Sequence, residues 1–500
     1  MRFRIPGGTV PNRSRACTIP LLLLGAVLSA AACSSTPAAT STTSAPAMTT
    51  TAAPTTTTTE GPADPLAGAW RGDLTGLDVQ FTFVVANDGS YAGTFDSLTE
   101  GMIGFEVDEI VLAGDELTFL IPDIGAQFDG SLDGDVIEGF WGQSGIAGLR
   151  LDRTDDPVLF NRPQDPQPPF PYIVEEVAFR NPDDGFTLAG TLTKPEGAGP
   201  FPAAVLITGS GAQDRDSEIL GHKPFAVIAD HLARNGIAVL RYDDRGVGHS
   251  AGSNYGATTG DLAVDAKAGF DALAVRPDID PTKIGFIGHS EGGLIAPLAY
   301  TAGAKAAFIV LLAGPGEPGA TLLPTQSRLI GEANDLPSAL VEWQAGLQVA
   351  AIAVLAEEPD DDAAADQLWE VAMTAAEAYP GGLPAEAAES VAVSLTAMAD
   401  PWWRFFFFHD PATQLAKVDA PVLALNGTLD TQVPVYNLDL IAEALAAGGN
   451  TDFETHALED LNHLFQPATT GSPTEYALIE TTIDPPVLDL ITTWLATLFS

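Results

Sequence analysis

Cysteine is almost missing from this 500-residue chain: the only two, Cys17 and Cys33, lie near its start. Everything beyond them therefore holds no disulfide, no thiolate-bound zinc and no thiol nucleophile. Basic residues are scarce as well, with 22 Lys and Arg against 66 Asp and Glu and a formal net charge of −44. Phosphate binding needs concentrated Lys and Arg, which argues against nucleic acid as a partner. An anionic lipid surface is repelled too, so membrane contact must come from something other than charge. What the chain does have is apolar residues, 46% of the total. That share can bury a sizeable core, and the length suggests more than one domain.

The first region is organised as a leader. Arg2, Arg4, Arg13 and Arg15 precede the apolar run Ile19–Leu28, which ends in Ser29-Ala30-Ala31-Ala32-Cys33. A basic start, a short apolar run and small residues before a cut site describe an export signal over residues 1–33. Such a run is too short to span a bilayer comfortably. Cys33 at its end resembles a bacterial lipobox, which implies lipidation of that thiol, although Ala30 stands where Leu is favoured. Ordinary cleavage after the alanines is the alternative, so the protein is expected to be exported, either lipid-anchored or secreted. Residues 34–63 are almost entirely Ser, Thr, Ala and Pro. A tract like this cannot offset its ordering entropy and reads as a disordered tether.

Residues 64–156 alternate apolar and polar side chains in short runs cut by turn signals such as Asn87-Asp88-Gly89. Period-two alternation with frequent turns indicates a small all-β domain, an antiparallel meander or a lipocalin-like barrel. Trp70 and Trp141 lie near its two ends. They suit either the wall of a ligand cavity or, more simply, a packed core. Six prolines between 155 and 171 mark a boundary.

From 172 to 500 apolar runs alternate with helical periodicity. The runs are Ala203–Thr208, Ile237–Tyr242, Lys283–Gly288, Ala306–Leu312, Val422–Asn426 and Asp452–Ala457, after a leading hairpin at 173–193. Continuous apolar strands separated by amphipathic helices imply a mostly parallel sheet covered on both faces. About a hundred residues rich in Ala, Glu and Leu separate the fourth and fifth runs. They read as a helical insertion over 317–410, with the aromatic run Trp402–Phe408 at its exit.

G-x-S-x-G occurs twice, and the pattern alone is weak. Gly248-His249-Ser250-Ala251-Gly252 follows a polar loop and leads into another. Gly288-His289-Ser290-Glu291-Gly292 directly follows a strand and runs into a helix, which is the context a nucleophile elbow requires. Ser290 is thus the expected nucleophile and Ser250 a decoy. Its base should come from late in the chain, where His463 sits on the loop after the last strand; His456 falls within a strand, and His409 is a further possibility. Asp430, a short turn past Val422–Asn426, is the expected orienting acid, with Asp460 the rival. The order Ser290, Asp430, His463 is that of the elbow-type hydrolases. The oxyanion donors are expected to be the backbone N–H of Glu291 and of Ser210, with Gly211 adjacent to the latter.

Four stretches carry a family resemblance: Gly209-Ser210-Gly211-Ala212-Gln213-Asp214-Arg215-Asp216, Arg241-Tyr242-Asp243-Asp244-Arg245-Gly246-Val247-Gly248, Gly288–Gly293 and Asn462–Gln466. Together they resemble the bacterial exported α/β-hydrolase esterases described as S9/S33 peptidase-like, over about 172–500. The resemblance implies the α/β-hydrolase fold with an inserted cap, preceded by a β-rich module. It also implies a triad of Ser290, Asp430 and His463 acting on small carboxylic esters with no metal and no cofactor. Asp214, Arg215, Asp243 and Arg245 are expected to form an ion-pair network bracing the two loops beside the site. An aminopeptidase, amidase or acyltransferase on the same triad is an alternative. A further one is an anchored binding protein acting through the β module.

Overall fold

The computed structural model describes residues 64–500 apart from 87–88, 99–101, 144 and 159. Residues 1–63, with the leader, Cys33 and the tether, lie outside the described residues.

The β-rich region forms one closed barrel of eight antiparallel strands. They are β1 (Gly68–Leu74), β2 (Leu77–Val85), β3 (Tyr91–Ser97), β4 (Met102–Ala113), β5 (Glu116–Ile121), β6 (Ala126–Asp133), β7 (Val136–Gly142) and β8 (Ile146–Thr154). Each pairs with the next, and β1 closes on β8. Closure removes the edges that an open meander would expose. Alternation sends Val79, Phe81 and Phe83 of β2 inward, where they meet Trp70, Leu117, Phe119, Phe128 and Trp141. Gly130 and Gly139 face each other across β6 and β7. A Cβ on either would fall within 3 Å of the Phe128 ring, so the pair makes room for it. The interior is thus filled by side chains. Of the two readings of Trp70 and Trp141, the packed core holds, because aromatic rings from facing strands occupy the space a ligand would need.

The second region is an eight-stranded sheet in the order β16-β15-β14-β13-β11-β12-β10-β9. Its elements are β9 (Tyr172–Arg180), β10 (Thr187–Pro195), β11 (Phe201–Ile207), α1 (Pro224–Arg234), β12 (Ala238–Tyr242), α2 (Thr259–Ala274), β13 (Ile279–His289), α3 (Gly292–Thr301) and β14 (Ile309–Leu312). Five helices then intervene: α4 (Gly319–Ala333), α5 (Ser338–Glu357), α6 (Asp361–Ala378), α7 (Ala385–Thr396) and α8 (Pro401–Phe408). The short α9 (Ala412–Leu415), β15 (Val422–Gly427), α10 (Asn437–Ala447), β16 (Phe453–Leu458) and α11 (Pro485–Phe499) complete the chain. The hairpin β9–β10 is antiparallel and joins β12 antiparallel, whereas β11 to β16 run parallel to one another. Odd and even residues of a strand feed different cores. Val205, Phe286 and Leu311 pack against α2, α3 and α10, while Leu206, Ile287 and Val310 pack against α1 and α11. The inserted helices form a core of their own around Leu347, Leu368, Leu395, Trp403 and Phe407. Only Ile309–Leu312 of the expected run at 306–312 is strand; Ala306 and Ala307 bond instead to Ala304 and Ile284 as the chain enters the sheet.

The proline-rich stretch at 155–171 is more than a boundary, because it is hydrogen-bonded to both regions. The Gln80 side chain of β2 takes both backbone groups of Val158, at 2.8 and 3.0 Å. Farther on, the Arg162 guanidinium donates to the carbonyls of Leu220, Ala477 and Ile479. Gln164 bonds Thr482 and Ile483. Bonds from a charged donor to part-buried carbonyls cost more to lose than neutral ones. Arg162→Ala should therefore lower the stability of the sheet domain by about 2–4 kcal/mol, read as a lower melting temperature of the full chain, whereas Arg150→Ala on the exposed barrel surface should leave it unchanged.

Candidate active site

The strand-to-helix turn at 288–293 is built by close approach. Strand β13 ends at His289, α3 begins at Gly292, and Ser290 between them has φ +53°. A serine held in the left-handed region is strained and persists only when its surroundings fix it. Here the Ser290 N–H donates to Leu312 O and the Gly293 N–H to Ser290 O, both at 2.8 Å. A Cβ on Gly288 would sit 2.1 Å from Gly292 O, and one on Gly292 2.3 Å from Ile207 O. Only glycine allows strand, turn and helix to come this close. The turn lifts Ser290 to the C-terminal end of the parallel sheet, where this class of fold binds its ligands.

Two other loops reach the same end. Asp430 follows β15, and its Oδ1 accepts the N–H groups of Gln432 and Val433 at 2.8 Å each. Its Oδ2 lies 2.7 Å from Nδ1 of His463, on the loop after β16, and both side chains are buried. With Nδ1 bonded to a carboxylate, Nε2 is the nitrogen left to exchange a proton. The His463 loop is set by Asn462, whose Oδ1 accepts from Leu464 and Gln466 and whose amide donates to Gln466 Oε1. Gln466 in turn meets His222, a fully buried ring that also contacts Thr482 and Tyr476 O.

His289 is more than a spacer in the elbow motif. Its Nε2–H donates to the His463 carbonyl at 3.0 Å, and the two rings lie 4.8 Å apart. Burial first, then the neighbouring His463, push its pKa down to about 3. The ring is thus a neutral donor that fixes the backbone of His463.

The loop after β11 lies against Ser290, since a Cβ on Gly209 would stand 3.1 Å from Ser290 Cβ. Buried Asp244 pins both ends of this loop, accepting from Thr208 Oγ1 at 2.9 Å and the Gln213 N–H at 3.0 Å. Gln213 Nε2 then holds Ser210 O at 3.0 Å. Burial raises the Asp244 pKa to about 8. Glu291, whose backbone adjoins Ser290, carries a buried side chain. Its Oε1 accepts from Thr259 at 2.6 Å and from Trp402 Nε1 at 2.8 Å. Burial raises its pKa against these two donors and the Ser210 hydroxyl.

Of the other expectations, only the ion-pair network changes. Ser250 is structural, donating to Asp243 O and accepting from the Ala189 N–H. Asp460 is exposed and His456 contacts Glu454. The expected single network of Asp214, Arg215, Asp243 and Arg245 is two separate pairs. Arg215 grips Asp243 through two nitrogens, whereas Arg245 turns to Asp265 at 2.6 Å. Asp214 instead caps a turn, accepting from the N–H groups of Asp216 and Glu218. The roles of Asp244, His222 and the Glu291 side chain went unread, because each depends on partners distant in sequence. The run Ser-Glu-Gly-Gly offered one signal, a charged residue where a buried turn was expected.

The family described as serine aminopeptidase, S33, matches residues 223–378. The esterase EstD of Thermotoga maritima is 27% identical over 312 residues, which is 62% of this chain and 65% of EstD. An uncharacterised protein of Mycobacterium tuberculosis is 34% identical over 115 residues, 23% of this chain and 36% of its own length. The chain thus spans less than two thirds of these curated relatives. Among solved structures, an esterase of Pyrococcus furiosus is 17% identical, covering 60% of this chain and 88% of its own, with a TM-score of 0.39. The strand order and the elbow, together with the family match, define the α/β-hydrolase fold behind a β-barrel module. The matched family, by its description, and EstD, by its name, are hydrolases.

The low pKa of His289 has a consequence for stability. Below about pH 6.5 the unfolded chain binds a proton there that the folded chain refuses down to about pH 3, so stability falls as pH falls through that window. His289→Gln should flatten the melting temperature between pH 6.5 and 4 relative to the parent chain.

Proposed function

We propose that the protein is a serine hydrolase of small carboxylic esters, with Ser290 as nucleophile, His463 as base and Asp430 as its orienting acid. The observation that carries this reading is the 2.7 Å bond from His463 Nδ1 to Asp430, on loops at the same sheet end as a serine strained to φ +53°. In the proposed cycle His463 Nε2 takes the Ser290 hydroxyl proton as Oγ bonds the ester carbonyl carbon. The N–H groups of Glu291 and Ser210 receive the oxyanion. Collapse of the intermediate expels the alcohol, which leaves with the proton from His463. Water, deprotonated by the same nitrogen, then releases the acid and restores Ser290. No metal or cofactor enters these steps.

The likeness to EstD supports an ester substrate. The family's description favours one second reading, removal of an N-terminal amino acid by the same three residues. Hydrolysis of p-nitrophenyl acetate and butyrate, set against aminoacyl p-nitroanilides, separates the two. Ser290→Ala and Asp430→Asn should each lower ester turnover about 10,000-fold without shifting the melting temperature by more than a degree or so. Turnover that survives Ser290→Ala overturns the proposal.

We further propose that the protein is exported by residues 1–33 and held outside the cytoplasmic membrane through a lipid on Cys33, with free secretion after cleavage as the alternative. Labelled palmitate should enter the parent chain and not Cys33→Ser, which should be released into the medium. A parent chain that is itself unlabelled and soluble rules the anchor out.

A further inference from the structure

The buried carboxyl of Glu291 is not used in the cycle above, which needs only its backbone N–H. It is nevertheless 1% exposed and lies where three separate parts of the molecule meet. Thr259, the first residue of α2 after the capping residue Thr258, donates to Oε1 from the sheet domain. Trp402, in the first turn of α8, donates to the same oxygen from the cap. Among the described residues Oε2 has no hydrogen-bond partner, and the nearby Ser210 hydroxyl acts only to oppose the rise in the carboxyl's pKa.

Trp402 is itself firmly part of the cap. Its ring stacks on Phe406 at 5.1 Å and meets Trp403 edge-on at 4.7 Å. Phe406 in turn closes over Gly319 at the start of α4, where a Cβ would lie 2.4 Å from the ring. Phe405 of the same helix sits on Gly260 in the first turn of α2. The indole N–H is therefore delivered by the seated cap as a unit. A buried carboxylate must be matched by donors or it becomes expensive to keep.

We propose that Glu291 is a positioning residue that latches the seated cap to the oxyanion side of the active site. With Trp402 in place, the carboxyl is held between cap and sheet, and the peptide that carries the Glu291 N–H is fixed beside Ser290. Lifting the cap removes one of the two bonds to Oε1 and frees that peptide to move. The seating of the cap and the readiness of the oxyanion donor become one event. This rests on the nucleophilic role proposed for Ser290, and it adds a means by which the cap reports on the site rather than only covering it.

The test is a double-substitution cycle on the full-length chain with Glu291→Ala, Trp402→Phe and the pair. Trp402→Phe removes the indole N–H and keeps an aromatic ring on Phe406. Each single change should lower kcat for p-nitrophenyl acetate about 10- to 100-fold, with KM within about threefold. The pair should be no slower than Glu291→Ala alone, since the bond that Trp402→Phe breaks is already lost with the Glu291 carboxyl. Glu291→Gln keeps an oxygen for Thr259 and Trp402 and should recover most of the loss. Labelling of Ser290 by a fluorophosphonate must slow in parallel with kcat, because it draws on the same oxyanion donors. Multiplying losses in the pair, or a Trp402→Phe variant as fast as the parent, overturns the latch. So does a Glu291→Gln as impaired as Glu291→Ala with the loss confined to KM for aminoacyl substrates, which would make the carboxyl a ligand for an ammonium group. Failure of Ser290 to label at all in the parent chain would instead count against the proposed function. Melting temperatures of all variants separate these outcomes from unfolding.

Discussion

Everything at the site depends on a serine whose backbone is held in the left-handed region. A φ of +53° is unfavourable for a residue with a side chain, so the conformation has to be imposed from outside. The imposition comes from the contact of β13, β11 and α3 at glycines, where a single added carbon would strike a carbonyl oxygen. Hydrogen bonds from Ser290 to β14 and back from α3 finish the enclosure. The parallel sheet matters here less as a layer than as a rigid set of carbonyls against which the turn is compressed.

The loops around that turn are held by polar groups taken out of water. Asp430, Asp244, Glu291 and Asn462 each accept bonds from two or more donors on segments that the sheet brings together. Such groups are costly when unpaired, so a loop that strays from its place leaves a buried acceptor empty. Precision at the C-terminal end of the sheet follows from that penalty. The apolar cores hold the layers together, and the buried acceptors decide where each loop stops.

Much of this was legible in the sequence, for physical reasons that differ by element. The strands were readable because a buried parallel strand must be apolar throughout, and the elbow because sterics force small residues around its serine. Asp430 and His463 could be located by their distance past strand ends. The barrel was readable as an all-β unit with a packed core as the simpler reading, but not as closed, since alternation says which residues face inward and not which strands meet at the ends. The side-chain partners were illegible for another reason. Glu291 to Trp402, and His222 to Gln466, join positions more than a hundred residues apart, and no local pattern encodes such pairs. The charge pairs misled in the same way: Arg245 chose Asp265 on a helix over the aspartates next to it in sequence.

The stretch between barrel and sheet has a mechanical meaning. It is tied by Gln80 on one side and by Arg162 and Gln164 on the other. Apart from Leu220, the groups that Arg162 and Gln164 hold belong to the segment 476–483, which supports His222, and His222 braces Gln466 beneath the loop of His463. A line of hydrogen bonds therefore runs from the barrel to the floor of the His463 loop. The barrel and the sheet domain are two folds in sequence, yet this line of bonds joins the one to the loop that carries His463 in the other.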